Sequence, residues 1–388
     1  MTVVVLLTYL LAVLVAGSLV YCLLVVGAAR DYLRARISAV PNQLPPMSIL
    51  TPLAGVDPDL ETNLRSSFQQ KYPRFEIVFA ARHPDDPAVA VAKRLMADFP
   101  SVPARLIATG EPSCTNAKVF SLAHMTEAAR YELLVMNDSD IRAPAGMLTT
   151  IAAEFEDPAI GLATCPSCAI PGRRWLSRLE ALGMNTQFMA GVLAARMLEG
   201  MRFALGPSAA VRRSALEKIG GWAALESYLA EDFVLGKQVF EAGYKVILSA
   251  CRVEHHLGDG GAADNLAHRL RWVRSARRSR PKGYVGEVFT HPLPLALLLV
   301  IVDSRMGLWL FGAAVLRALS AWVVGGRVLR DPALSGLFWA IPLQDLLAFL
   351  IWIAGFFGNR VTWRGRTYYL HRDGRFELVR ESPTNTAP

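Results

Sequence analysis

The stretch ELLVMNDSDIRAP, residues 132–144, carries four apolar residues, Leu133 to Met136, straight into Asn137, Asp138, Ser139 and Asp140. An apolar run of this length with polar ends reads as a strand covered on both faces, as in a parallel sheet. Open α/β sheets gather ligands beyond the carboxyl ends of their strands, so Asp138 and Asp140 stand where a ligand is expected. Two carboxylates at this spacing can share one hard divalent cation and leave positions open for phosphate oxygens. A solvated acidic turn is the plainer reading of the same residues, and the rest of the chain has to choose.

On either side of this run, similar segments recur: MSILTPL (47–53), FEIVFAA (75–81), ARLIAT (104–109), IGLATC (160–165) and KVILSA (245–250). Helical patterns lie between the early ones, at PAVAVAKRLMADF (87–99) and KVFSLAHMTEAARY (118–131). Alternation of this kind predicts an α/β domain over 47–256, built on a largely parallel sheet covered on both faces. No internal repeat is visible.

The chain as a whole is too apolar for an ordinary soluble protein: 388 residues, 53% hydrophobic, 19% charged, mean hydropathy +0.30. Residues 3–29 carry no charge and are long enough to span a bilayer. A cleaved signal peptide would want a basic start and a shorter apolar region, so 1–29 is predicted to be a transmembrane helix. Arg30, Arg34 and Arg36 follow it and nothing basic precedes it, which places the amino terminus outside and the next domain in the cytoplasm. Residues 30–46 form a juxtamembrane linker stiffened by Pro41, Pro45 and Pro46.

Three more apolar stretches lie at 289–302, 306–325 and 333–358, and 359–388 reads as a cytoplasmic tail ending in a disordered ESPTNTAP. The loop GGRVLRD and the tail's NRVTWRGR are both basic and both favour the cytoplasmic side. Three full spans would put the tail outside, so one stretch is expected to be re-entrant or interfacial. Pro342, Gln344 and Asp345 point to the last. The expectation is a multi-pass protein of the inner membrane. Its formal charge of +8 suits an anionic inner leaflet, and spans at both ends argue against nucleic acid as a partner. Cys165 and Cys168 form a CxxC, but no second pair completes a zinc set and a cytosolic domain disfavours disulfides.

Further polar clusters carry the chemistry. In SYLAEDFVLGKQVFEAGYKV (227–246), Glu231 and Asp232 begin a helix. The helix dipole favours acids there, and a carboxylate held near a metal-bound phosphate can equally act as a general base. The segment 257–288 includes HRLRWVRSARRSRPKGY (268–284), a basic amphipathic stretch suited to a membrane surface. Its Arg271 can also grip a diphosphate, with Trp272 packed beside the substrate. Asn116 and Lys118, in TNAKVFSL, are either donor contacts or the polar start of a helix. The methionine-rich run 179–206 is either a core helix or a cradle for an apolar tail. His255 and His256 point to opposite faces of a strand, which disfavours a shared metal and leaves one to line an acceptor site.

These clusters, in this order and between these membrane segments, resemble the lipid-acceptor and processive members of glycosyltransferase family 2. The nearest likeness is to the ceramide glucosyltransferase family (family 21), including bacterial relatives linked to hopanoid biosynthesis. The likeness extends over SILTPLAGVDPDLETNLRSSFQQKYPRFEIVFA, DDPAVAVAKRLMADFP, NAKVFSL, NDSDIRAP, LEKIGGW, SYLAEDFVLGKQV and RWVRSARRSRPKGY, about 47–290. It implies a GT-A nucleotide-sugar fold of Rossmann-like type between transmembrane helices, a UDP-sugar donor, a lipid hydroxyl as acceptor, and Mg2+ or Mn2+. Asp138 and Asp140 match the family's DxD, which meets the metal and the donor diphosphate. Asp232 matches the aspartate of its ED motif, the expected general base. Arg271 and Trp272 match the end of its (Q/R)xxRW.

Two positions depart from the pattern. His268 stands at the first (Q/R)xxRW position, where it can still donate a hydrogen bond to the donor. The early aspartate that helps hold uridine is absent from AARHP: His83 takes its place, and Asp85 is the nearby substitute. The reading that results is an inverting hexosyltransferase moving glucose or N-acetylglucosamine onto a ceramide or a hopanoid polyol. A processive polysaccharide synthase and a non-catalytic lipid-binding protein are the rivals.

Overall fold

The computed structural model describes residues 2–35, 41–57, 59–363 and 365–381. Arg36 and all but the first residue of ESPTNTAP lie outside these. The chain forms two compact units. One comprises residues 36–167, 201–258 and 366–388, and the other 1–35, 168–200 and 259–365.

The first unit is built on a seven-stranded sheet. β1 (Met47–Leu53), β2 (Phe75–Ala81), β3 (Ala104–Ala108) and β4 (Leu133–Asn137) are parallel, in the order β3-β2-β1-β4. Every residue of β2 and β4 is buried, which explains why these strands read as unbroken apolar runs rather than alternating ones. Helices Leu60–Phe68, Pro87–Asp98 and Ala117–Ala128 make the crossovers. Ile49, Leu64, Phe79, Leu95, Val135 and Ile151 share one core.

Beyond β4 the sheet is mixed. Ser208–Arg212 runs antiparallel to β4 and to Ile160–Thr164, and Lys245–Leu248 closes the edge parallel to the latter. The strand Ser208–Arg212, SAAVR, has no place among the expected runs. Its small residues give it little hydrophobic signal, yet it borders the opening motif along its whole length. Strands Arg366–Leu370 and Phe376–Glu381 form an antiparallel hairpin in this same unit. The expected tail is therefore, in these residues, a folded part of the sheet-bearing unit. Gly374, at φ +86°, makes the left-handed turn after Asp373.

The second unit holds the apolar helices. Among the described residues three are long and apolar enough to cross a membrane: Val3–Ala35, Ser304–Val328 and Leu334–Gly355. The first runs past the expected end at residue 29 and carries Arg30 and Arg34 within its last turns. Pro281–Thr290 and Pro292–Val302 form a pair bent by 63°. This differs from the expectation that the last stretch is the irregular one. Its suspect residues are satisfied internally: Asp345 receives both Nε and Nη2 of Arg317 at 2.8 Å, and Gln344 accepts from Arg269. Arg317 and Asp345 are 4% and 0% exposed, so each neutralises a charge that apolar surroundings would otherwise exclude.

Residues 168–200, expected inside the α/β domain, belong to this apolar unit. They form helix Trp175–Gly183, a π turn at Met184–Phe188 and helix Met189–Glu199. The basic helix Ala262–Ser279 has a structural task here. Arg274 and Arg277 donate to the carbonyls of Phe356, Phe357, Gly358 and Arg360, in the segment that follows the helix ending at Gly355.

Candidate active site

β4 delivers Asp138 and Asp140 beyond the carboxyl end of the sheet. The turn is held on both sides: Asp138 N donates to Pro207 O, Ile141 N donates to Asp138 O, and Ser208 Oγ donates to Asn137 Oδ1 at 2.7 Å. Ser139 points elsewhere, donating to Asp57. Ile141–Arg142 then pairs with Val253–His256, and that register sets His255 opposite Ile141. His255 Nε2 consequently lies 3.2 Å from Asp140 Oδ2, while His256 turns to Asp59 and Glu254. The two histidines thus serve different carboxylates, as their alternation on a strand requires.

Lys118 joins this turn to the ED motif. Its ammonium lies 2.7 Å from Asp138 Oδ1 and 3.4 Å from Glu231 Oε1, and it donates to Gly206 O. Asn116 works inward. It is 0% exposed, and its Oδ1 caps helix Ala117–Ala128 by accepting from Lys118 N and Val119 N. Its Nδ2 donates to Tyr228 O and Glu231 Oε2. With both ends of the amide engaged inside the protein, Asn116 is not the donor contact expected of it. It fixes the spacing between Lys118 and the helix that begins at Glu231.

Asp232 sits in the first turn of helix Glu231–Glu241. Gly206 lies against it: a Cβ there would be 3.0 Å from Asp232 Oδ2. The charges shape one another. Burial, then the neighbouring Glu231 carboxylate, push Asp232 up to about 7 against the pull of Lys118. Burial likewise outweighs Lys118 at Asp138 and, with Asp140 adding to it, raises that carboxyl to about 6. Burial acts upward on Asp140 too, but His255 and Lys118 prevail and hold it below the ordinary range. Lys118 is desolvated, yet Asp138 and Glu231 keep its ammonium well above its usual value.

Asp138 and Asp140 fit a hard cation. Both present oxygen, and Asp140 Oδ1 is buried without a hydrogen-bond partner, a costly state that a cation would relieve. Among the described residues no group of three His, Cys, Asp or Glu is arranged to hold a metal, so the protein would supply two carboxylates and leave the other positions to phosphate and water. The five cysteines, all among the described residues, form no disulfide.

The other expected site residues are Asp85 in the sheet-bearing unit and His268, Arg271 and Trp272 in the apolar unit. Asp85 is exposed and bonded to none of this cluster, whereas its neighbour Asp86 accepts from Gly55 N and Ala88 N. His83 pairs with Glu111 at 3.2 Å, and Arg82 and Arg366 reach the same carboxylate. His268, Arg271 and Trp272 lie on helix Ala262–Ser279 of the apolar unit. There His268 pairs with Glu180 at 2.7 Å, Arg271 lies 5.8 Å from the centre of the Trp363 ring, and Trp272 packs on Phe188. Glu231, Gly206 and Asp57 are cluster members that sequence reasoning did not assign to the site, and His255, one of the two histidines left to line an acceptor site, meets Asp140. Of the first three, Glu231 carried a readable signal, as the acid beside Asp232 at a helix start.

A mixed α/β sheet with acids beyond its strand ends, in a chain that also carries apolar helices, is the architecture of a GT-A glycosyltransferase. The solved mannosyltransferase PcManGT from Pyrobaculum calidifontis, in complex with GDP-Man and Mn2+, has the same fold: TM-score 0.54 at 19% identity, over 90% of this chain and 99% of that one. The family model for glycosyl transferase family 21 matches residues 9–376, and the chain belongs to that family. Among relatives, ceramide glucosyltransferase 3 of Caenorhabditis elegans is 24% identical over 86% of this chain and 74% of its own length. Ceramide glucosyltransferase 1 of the same organism is 25% identical over 87% and 74%. The protein is a membrane-associated hexosyltransferase.

Proposed function

We propose that the protein transfers a hexose from a UDP-sugar to the primary hydroxyl of a ceramide-like lipid, with inversion at the anomeric carbon. The observation that carries this is Lys118, ion-paired with Asp138 of the DxD and Glu231 of the ED motif and acting on the charges of Asp140 and Asp232, within a chain whose relatives are ceramide glucosyltransferases. Asp232, raised to about 7, is poised to take a proton from a hydroxyl near neutral pH. The hydroxyl attacks the anomeric carbon from the face opposite the leaving diphosphate, so an α-linked donor gives a β-linked product. Lys118 stands beside Asp138, where it can balance the charge that develops on the leaving group. Mg2+ or Mn2+ held by Asp138 and Asp140 would add electrostatic stabilisation of the same diphosphate. The resemblance assigns Arg271, Trp272, His268 and Asp85 to the donor, with Arg271 on its diphosphate.

The topology we infer puts the sheet-bearing unit in the cytoplasm and the amino terminus outside, at the inner membrane. Arg30 and Arg34 at the end of the first helix favour this orientation. The hairpin Arg366–Glu381 shares a unit with the sheet, so the chain between residues 258 and 366 crosses an even number of times. Two crossings, by Ser304–Val328 and Leu334–Gly355, satisfy that count when the bent pair Pro281–Val302 dips in and returns. A processive synthase, which needs a channel for its polymer, is disfavoured by so few spans.

The test is expression of wild type and Asp232→Asn in a host supplied with ceramide and hopanoid lipids, with mass spectrometry of lipid extracts. A hexosylceramide formed by wild type alone is the expected result, and its mass names the sugar class. An adduct on the hopanoid only would move the acceptor. A lipid profile identical in both strains, with both proteins folded in the membrane, would sink the transfer reading.

A further inference from the structure

The helix that presents Asp232 starts without a side-chain cap, because its N-cap residue is Ala230. Its position therefore depends on the segment that leads into it, Glu226–Leu229, and that segment is gripped from two sides. On one side Asn116 N donates to Glu226 O at 3.0 Å and Asn116 Nδ2 donates to Tyr228 O at 2.9 Å. On the other is the turn of the C-terminal hairpin. Phe376 N donates to Ser227 O at 3.0 Å, Leu229 N donates to Gly374 O at 3.5 Å, and Tyr228 and Arg375 form an antiparallel bridge. The Arg375 guanidinium lies 5.7 Å from the centre of the Tyr228 ring. The far end of the same hairpin reaches Glu111 through Arg366, at 3.8 Å, beside His83.

We propose that the C-terminal hairpin is a positioning element for catalysis, with Arg375 the residue that locks it onto Ser227–Leu229 and so sets the reach of Asp232. This rests on the glycosyl-transfer reading above. The hairpin adds a short strand to a segment that has no other sheet partner among the described residues, and backbone hydrogen bonds fix it irrespective of side chain. Arg375 over Tyr228 supplies the contact that chooses this segment, as a cation on a ring face does. The cluster of Lys118, Glu231 and Asp232 tolerates little movement, since a shift of about 1 Å in a reacting group costs roughly 100-fold in rate.

The test uses full-length protein in nanodiscs as wild type, Arg375→Ala, Arg375→Lys and Phe376→Pro, the last of which deletes the N–H bonded to Ser227. Hydrogen exchange of the backbone amides is read alongside steady-state kinetics. Arg375→Ala should speed exchange at residues 227–233 while β1, β2 and β4 stay protected. It should lower kcat about 10-fold with the donor KM within about twofold, a loss in the range expected of a misplaced base. Arg375→Lys should recover most of both, and Phe376→Pro should lower kcat further. Unchanged exchange at 227–233 with unchanged kcat overturns the proposal. So does faster exchange throughout the sheet with no recovery by lysine, since that describes general unfolding. Wild-type turnover is measured first: a silent wild type counts against the transfer reading, whereas the exchange pattern alone decides whether the hairpin holds the segment.

Discussion

If Asp232 is the base, its titration sets the acid limb of the kcat profile, and two neighbours should move that limb in opposite directions. Raised to about 7, Asp232 is half ionised at that pH and about one-tenth ionised one unit below it. Glu231 is the charge that pushes it up after burial itself. Two like charges in adjacent residues of a partly buried site repel by about 1–4 kcal/mol, depending on how much water screens them. Relieving the lower part of that range lowers Asp232 by about one unit, or ~1.4 kcal/mol. Glu231→Gln keeps the side chain's shape and an oxygen for Asn116, so the fold of the site is retained. At pH 6 the ionised fraction should rise from about a tenth to about a half, roughly fivefold more activity relative to each enzyme's own plateau. Lys118→Met removes the pull downward and should carry the limb above 7, with a lower plateau because the leaving group loses its ammonium. The assay is hexose transfer to a short-chain fluorescent ceramide between pH 5 and 9 at saturating donor. Limbs at one pH in all three proteins, or both variants shifting the same way, would refute the assignment of Asp232 and the coupling of this cluster.

Gly206→Ala should lower kcat about 10-fold with UDP binding by calorimetry unchanged, because the added methyl meets Asp232 Oδ2 at 3.0 Å and displaces the carboxylate. Asp232→Asn should be more thermostable than wild type at pH 8 and equal to it near pH 4, followed by the apparent Tm in detergent. The folded-state value of Asp232 is raised from 3.8 to about 7, so its ionised form is disfavoured in the fold. That penalty is complete above about 7 and vanishes below the unfolded value, where both states hold the proton. Asn116→Asp keeps the helix cap but sets an oxygen against Tyr228 O and Glu231. Two buried acceptors left facing an acceptor cost about 1–3 kcal/mol each, so kcat and stability should both fall while Asn116→Ser loses less. In the apolar unit, Arg317→Met should cost about 3–5 kcal/mol by stranding Asp345, and adding Asp345→Leu should recover most of the loss in a detergent-unfolding assay.

Much of the sheet was legible because its central strands β1, β2 and β4 are buried on both faces. β1, β2, β3 and β4 all announce themselves as apolar runs, and the crossover helices between them follow from the same alternation. The strand Ser208–Arg212 does not, since alanines pack against β4 without marking a period in the sequence. The hairpin carries a signal of its own: Asp373-Gly374 sits between RTYYL and FELVRE, and an Asp-Gly pair between alternating segments is a strong short-range mark of a β-hairpin. The placement of 168–200 among apolar helices could not be read locally at all, because a methionine-rich helix packs equally well in a core or against lipid-facing neighbours.

The site itself was legible as motifs but not as geometry, and the reason is the same in each motif. One residue of a short polar run is spent inside the protein so that its neighbour can face outward. In TNAK the helix cap is Asn116 and the free charge is Lys118; in NDSD, Ser139 is tied to Asp57 while Asp138 meets the lysine. In ED, Glu231 holds Lys118 and Asn116, which leaves Asp232 against Gly206. A helix or turn fixes which of two adjacent side chains points in, and that depends on partners more than eighty residues away, such as Asn116 for Tyr228 and Lys118 for Gly206. Composition and spacing supply the candidates. Long-range packing distributes the roles, and here it sets Lys118 between Asp138 and Glu231, so that a charge change at any of these three is felt by Asp232.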